Sequence, residues 1–455
     1  MTRGLAAMTA AVVLSLSLAA CSVDDPEQPL GSPPTSKPAD GPRKLTFGAF
    51  GHPDELEAFE QVVDSFNVSS QTRKVKLITW ADHQEALDAV LGGEVPDAFM
   101  TSRRDLSEIA ESESTRPVSL LLDERGVDFG DRYSRDALEA FSYDDDLQCM
   151  PYSVSPMVIY YNDELIDFAK MERRGLDVPV DAEGELTDRW TIEEFAAAAE
   201  FATRRGKVDG VWIEPTLRGL SPFIYSGDAQ IYDDESEPTS LAFSEDSTRA
   251  ALEQTLFILR DPILTPSADD LRKATALQLF KRGKLAMIAG FRDLVPELRA
   301  VETLSFDTIS MPVLETPATV GDINALCISA DTEHVNDAAD FLAYAVSDAA
   351  LDIVTRTGHI VPANTEVAGS EAFLSPGSEP AHASVFNSAI RGMVVPPLLA
   401  NRPDLEEAVA SMIEDLVTSP GILDLDLATE EIDLVSRTIL DPESVTESPS
   451  ASPEE

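Results

Sequence analysis

The chain has 455 residues, of which 34 are Lys or Arg and 82 are Asp or Glu, giving a formal charge of −48 at pH 7. So large an acidic excess excludes nucleic acid and anionic lipid as electrostatic partners. It reads either as a solvated surface suited to high salt or an outer cell face, or as attraction for a cationic ligand. With carboxylates this abundant, no Asp or Glu pair marks a two-carboxylate glycosidase.

In chain order, MTRGLAAMTAAVVLSLSLAACS carries one early cation at Arg3, a short apolar run, and the small-residue sequence Leu18-Ala19-Ala20-Cys21. This resembles the bacterial lipoprotein signal, in which the cysteine is lipidated after cleavage. Residues 1–20 are thus expected to be a signal peptide, with Cys21 anchoring the protein at the extracytoplasmic face of the cell membrane. An uncleaved N-terminal anchor is the alternative. Residues 21–43 are rich in Pro, Ser and charge and are expected to be a disordered tether; residues 438–455, ending DPESVTESPSASPEE, are expected to be a disordered tail. Between them lie roughly 390 residues, enough for two or three domains.

KLTFGAF (44–50) predicts a buried strand, and a helix follows from Pro53, with Leu56, Phe59, Val62, Val63 and Phe66 on one face and Asp54, Glu55 and Glu57 near its positive end. VKLIT (75–79) predicts a second strand, HQEALDAVLGG a helix stopping at Gly92-Gly93, and VPDAFM (95–100) a third strand. Ser102 to Asp105 fits a capping box opening another helix. CMPYSVSPMVIYYN (149–162) looks like an interrupted strand: Pro151, Ser153, Ser155 and Pro156 are expected to break any regular element ahead of Val158–Tyr161.

A second series follows. Trp190, Thr191, Glu194 and Phe195 form a capping box with a hydrophobic staple, which gives Trp190 a packing role. Strands are expected at 210–214, 285–291, 308–313 and 323–329, helices near 247–260 and 267–282, and a long helical region at the end. Alternating strands and helices predict parallel sheets covered on both faces, with ligands at the carboxyl ends of the strands. Those ends fall at Phe50 to His52, Trp80, Thr101 to Arg103, Glu214 and Phe291.

Common catalytic signatures are missing. There is no phosphate-cradling Gly-x4-Gly-Lys-Ser/Thr loop, no Gly-x-Gly-x-x-Gly, no Cys-x-x-Cys and no His-Glu-x-x-His. His52, His83, His334, His359 and His382 are dispersed, none pairing with another at metal-ligand spacing, and Ser221 lacks the second glycine of a nucleophile elbow. Neither a cofactor nor a metal is expected, and binding without chemistry is. Apart from Cys21 the cysteines are Cys149 and Cys327, either a disulfide or two free thiols.

The order of segments resembles the extracellular solute-binding proteins of ABC importers, the maltose-binding-protein-like group. KLTFGAFGHPDELEAFEQVVDSFN, AFSYDDDLQCMPYSVSPMVIYYNDEL, RWTIEEFAAAAEFA, LFKRGKLAMIAGF and DAADFLAYAVSDAALDIVTRTGHIVPAN occur in the family's order downstream of a lipoprotein signal. The resemblance implies a two-lobed α/β fold of the type II periplasmic-binding-protein kind, closing on a small-molecule solute and presenting it to the transmembrane subunits of an ABC permease, as a monomer. It places hinge crossings near 153–157, 288–291 and 321–326, with one lobe at 44–152 plus 291–321 and the other at 157–288 plus 326–437. If the first and third crossings lie side by side, a Cys149–Cys327 disulfide would tie the hinge strands. A surface sensor or interaction module using the same fold is the alternative function.

The strand-end rule and the resemblance together assign solute contact to Phe50, Trp80, Thr101, Ser102, Arg103, Tyr152, Ser153, Ser155, Glu214, Phe291, Arg292 and Asn324. Competing roles are a helix cap for Ser102 and an ion pair for Arg292; Trp212 is expected in the core. The chain has three tryptophans, two of them assigned to packing, and Phe291 stands where the family often has Trp. A sugar or polyol is expected; these departures disfavour a long oligosaccharide and leave smaller sugars, polyols or a non-sugar open.

Overall fold

The computed structural model describes residues 42–446 except 131, 144–145 and 182–185. The signal peptide, Cys21, nearly all of the tether and residues 447–455 lie outside the described residues. Among the described residues the strands are β1 (Arg43–Phe50), β2 (Arg73–Trp80), β3 (Ala98–Ser102), β4 (Thr115–Arg116), β5 (Ser142–Tyr143), β6 (Asp146–Leu147), β7 (Cys149–Pro156), β8 (Val158–Asn162), β9 (Asp209–Trp212), β10 (Leu285–Gly290), β11 (Phe306–Ile309), β12 (Thr319–Ser329) and β13 (Met393–Val394).

Two sheets organise the molecule. The larger runs β13-β12-β3-β1-β2, with β4 and β7 also paired to β12; the smaller runs β11-β8-β10-β9. β1 is parallel to β2 and β3, and β10 is parallel to β9, as alternating strands and helices predict. β12 is also parallel to β13, but the all-parallel expectation is corrected elsewhere: β12 is antiparallel to β3 and β7, and β8 to β10 and β11. β12 arrives from the other lobe and β8 follows β7 after one residue, so neither direction is set by a crossover helix.

Each sheet is buried by its own helices. In the first lobe Phe47 packs against Phe59 on the helix Pro53–Ser69 and against Phe341 on the helix Val335–Ala345. In the second, the smaller sheet is covered on one face by residues of the helices Ile192–Ala202, Leu217–Ser226, Asp246–Leu259 and Arg402–Thr418, and on the other by Phe280, Phe373 and Phe386. The Thr191–Glu194 capping box forms, and Trp190 meets Phe195 edge-on at 5.3 Å. Ser102 caps through the Arg104 N–H without a reciprocal bond, because the Asp105 carboxylate turns to His83 at 2.9 Å.

The lobe boundaries differ from expectation. β11, expected in the first lobe, adds to the open edge of β8 in the second. The helices Val335–Ala345 and Asp348–Thr355, expected in the second, pack in the core of the first. The chain therefore passes between lobes at Pro156–Met157, within β12 between Val320 and Ile323, and between Val367 and Phe373, while Val361 packs in the second lobe and Met393 returns to the core of the first. The stretch 288–291 is no crossing, since both β10 and β11 lie in the smaller sheet. A strand-forming sequence states its pairing capacity, while the available edge decides which lobe takes it. The helix Leu425–Leu440 and the short helix Pro442–Thr446 also extend into the stretch expected to be a tail.

The interrupted strand is in fact continuous through β7. It pairs with β12 from Pro156↔Gly321 to Cys149↔Cys327, with a register irregularity at Asn324/Ala325, opposite Ser153 and Pro151. The irregularity accommodates a proline that has no N–H to offer the ladder. Cys149 and Cys327 are joined by a disulfide between these two hinge strands.

Candidate functional site

A cavity of about 70 Å³ lies between the lobes. The first lobe contributes Arg103 and Arg104, held just past the carboxyl end of β3 by the Ser102-capped turn Arg103–Asp105. The second contributes Leu217, Arg218, Ser221 and Tyr225 from the helix Leu217–Ser226, Tyr232 beyond it, and Arg402 and Glu406 from the helix Arg402–Thr418. Val320 to Ile323 of the hinge strand β12 close one side.

Part of this wall is electrostatically complete. Asp322 forms ion pairs with Arg218 at 2.7 Å and with Arg104 at 3.2 Å. Burial pushes its carboxyl up, but Arg218 and Arg104 outweigh that and hold it below the usual range. The Arg218 guanidinium stands 3.9 Å from the Phe291 ring centroid, a cation–π contact. The Ser221 hydroxyl donates to the Leu217 carbonyl at 2.6 Å, inside its own helix.

The other part is incomplete. Among the described residues Arg103 has no hydrogen-bond partner for its buried Nε and Nη1, and the buried Tyr225 hydroxyl is in the same condition. Burial lowers the Arg103 pKa to about 10, and the nearby charge of Arg402 adds to the shift. Burial also pushes the Tyr225 phenol well up. Buried donors without partners are costly, so they draw an acceptor.

The expected site residues separate into three groups. Arg103 lines the cavity, and Phe291 reaches its edge beneath Arg218. Thr101, Ser102, Ser153, Ser155 and Asn324 lie on the strands that lead to the cavity and are tied into the sheet: Asn324 sits opposite both Ser102 and Ser153, and the Ser155 hydroxyl accepts from the Arg292 N–H at 3.0 Å. The rest are placed elsewhere. Phe50 is half-buried and meets the His83 ring; Trp80 lies over Gly48, filling the space a side chain there would need; Tyr152 is buried against Phe59; Glu214 is exposed at the end of β9.

Arg292 is a correction with a clear cause. It is wholly buried, donates from Nε to the Gly358 carbonyl at 3.0 Å and from Nη2 to the Phe373 carbonyl at 3.2 Å, and faces the rings of Phe373 and Phe386. Its role is structural. Cavity residues that sequence reasoning missed are Arg104, Arg218, Tyr225, Tyr232, Asp322, Arg402 and Glu406. Arg104 was one residue beyond a strand end already singled out; Arg402 carries no local signal.

The dispersed histidines include a pair that folding brings together. His52 and His359 stack at 4.3 Å, and Glu55 completes a cluster whose ligand atoms lie within 4.8 Å of one another. His359 Nε2 is 2.9 Å from both Asp54 carboxylate oxygens and Nδ1 is 3.2 Å from the Asp293 carbonyl. Both ring nitrogens of His359 therefore already face acceptors within the protein. Burial, reinforced by Asp54 and Asp293 against the His52 N–H, raises the Glu55 pKa to about 7.

Comparison with known proteins places the chain. The model of a family described as bacterial extracellular solute-binding protein matches residues 61–377. An uncharacterized lipoprotein in the oleD 5′ region of Streptomyces antibioticus is 26% identical over 207 residues, 45% of this chain and 40% of that protein. Among solved structures, the ABC substrate-binding protein of Listeria monocytogenes in complex with cycloalternan has a TM-score of 0.71 at 21% identity, covering 87% of this chain and 99% of that one. The sugar-binding protein MalE of Xanthomonas citri has a TM-score of 0.73 at 16% identity, covering 90% and 100%. At these identities the structural likeness is one of fold, the two-lobed type II arrangement.

Proposed function

Because the chain belongs to the bacterial extracellular solute-binding proteins, we propose that it is the receptor of an ABC importer, taking a sugar or polyol into the cavity between its lobes and delivering it to a membrane permease. As a member of that family it works outside the cytoplasm and binds a solute without transforming it. The observation that carries the reading is the composition of the cavity wall, Arg103 and Arg104 from one lobe against Arg218 and Arg402 from the other. A solute touching both walls stabilises the closed arrangement by its differential affinity for it, and no covalent step is needed. The small cavity fits a compact solute better than a long oligosaccharide.

Lipid on Cys21 would hold the receptor beside its permease, in keeping with the lipoprotein signal and the description of the Streptomyces relative as a lipoprotein. Cys21→Ala is expected to release the protein from membranes into the medium.

A thermal-shift screen of sugars, polyols, polyamines and peptides tests the solute. A ligand at a hundredfold excess over its Kd adds about 2.7 kcal/mol to folded stability, which is readily seen. Response to polyamines alone would remove the sugar reading.

A further inference from the structure

We infer that the solute carries an oxyanion, a carboxylate or phosphate group, and that Arg103 and Arg402 receive it. The inference rests on the reading of the cavity as the solute site and adds a chemical class to it. Four arginines line the cavity against two carboxylates, Asp322 and Glu406. Asp322 is already committed to Arg104 and Arg218. Glu406 is exposed at the rim. Arg103 and Arg402 come from different lobes, repel each other, and Arg103 keeps two buried nitrogens without an acceptor.

This arrangement runs against the composition of the chain. With 82 carboxylates against 34 basic residues, a structural arginine either donates to backbone carbonyls, as Arg292 does, or has a carboxylate partner. Arg43, Arg73, Arg125, Arg132 and Arg249 each have one. Among the described residues Arg103 has none, although its Nε and Nη1 are buried. A guanidinium offers a planar fork of donors that matches a carboxylate or phosphate in bidentate fashion. The partnerless Tyr225 hydroxyl on the facing wall supplies a further donor. An oxyanion between the lobes would also neutralise the repulsion between Arg103 and Arg402, so binding and closure would be coupled by the same charge.

The test is calorimetric titration of the full chain with matched solutes: glucose, glucuronate and glucose 6-phosphate; galactose, galacturonate and galactose 6-phosphate; and, outside the sugars, citrate and spermidine. An acid is expected to bind at least tenfold more tightly than its neutral parent, with carboxylate and phosphate arms telling the two oxyanions apart. Arg103→Gln and Arg402→Gln should each weaken the acid tenfold or more, whereas Arg135→Gln, on an exposed side chain far more open to water, should change it less than twofold. A melting measurement without solute adds an independent readout: Arg103→Gln should melt no lower than the native chain, because no native bond of Nε or Nη1 is lost.

A neutral sugar binding as tightly as its acid, or acid binding indifferent to both substitutions, overturns the inference and leaves the receptor reading standing. Binding of citrate alone keeps the oxyanion and removes the sugar. Binding of spermidine alone removes both.

Discussion

The hinge and the cavity each bury an arginine whose pKa falls to about 10, yet the two are built for opposite ends. At the hinge, Arg292 reaches the carbonyls of Gly358 and Phe373 and lies against two aromatic rings, beside strands joined by the Cys149–Cys327 disulfide. In the cavity, Arg103 holds two buried donors with no acceptor. Burial alone therefore does not reveal a role. What distinguishes the two is how far the donors are engaged: among the described residues Arg292 leaves only Nη1 without a partner, whereas Arg103 leaves both Nε and Nη1.

The sharpest way to break this contrast is to loosen the hinge. Replacing both Cys149 and Cys327 by Ser opens a loop with a sequence separation of 178. The chain-entropy model gives a loss of up to about 5 kcal/mol. Urea denaturation measures it, and two free thiols in denatured, unreduced native protein would remove the basis of the prediction.

Arg292→Met strands the two carbonyls and is expected to cost about 4 kcal/mol, the scale for removing one partner from a buried charged network. The same denaturation experiment applies, and solute selectivity should be unchanged in the folded fraction. A variant as stable as the native chain would show that the Gly358 and Phe373 carbonyls do not depend on it.

Glu55 tests the hinge side by pH. Its folded pKa of about 7 lies above the ordinary value of 4.5, so the fold favours the protonated carboxyl. That contribution is complete below pH 4.5 and is lost as pH rises through 7, a change of about 3 kcal/mol. Glu55→Gln keeps an acceptor for the His52 N–H and stays neutral. It should therefore match the native chain near pH 4 and exceed its melting temperature at pH 8; parallel profiles across that range would place the titration elsewhere.

The smallest effect is at the cavity. Arg103→Gln removes a desolvated charge and should raise stability without solute by about 1 kcal/mol. A loss of that size would mean Arg103 has a structural partner after all, and the contrast with Arg292 would collapse.

Much of the architecture was legible because its signals are local. Helical spacing from Leu56 to Phe66 marks the first amphipathic helix, and Thr191, Glu194, Trp190 and Phe195 announce a helix start through a cap and a staple. The proline-bearing segment misled, since Pro151 looks like a strand breaker until the irregularity in β12 is seen across from it. Trp80 sat at a strand end, the place for a ligand, but Gly48 on the neighbouring strand leaves a space that its ring fills. Arg103 was found from its strand end, and Arg402 could not be.

The sequence by itself determined the two α/β series, the resemblance to solute receptors and the strand end that carries Arg103, all of which depend on neighbours a few residues apart. Tertiary structure decided which edge accepted β11, which arginine became a hinge component, and which four arginines came to share one cavity. These depend on contacts between residues far apart in the chain, and it is only there that a charge either meets its partner or is left without one.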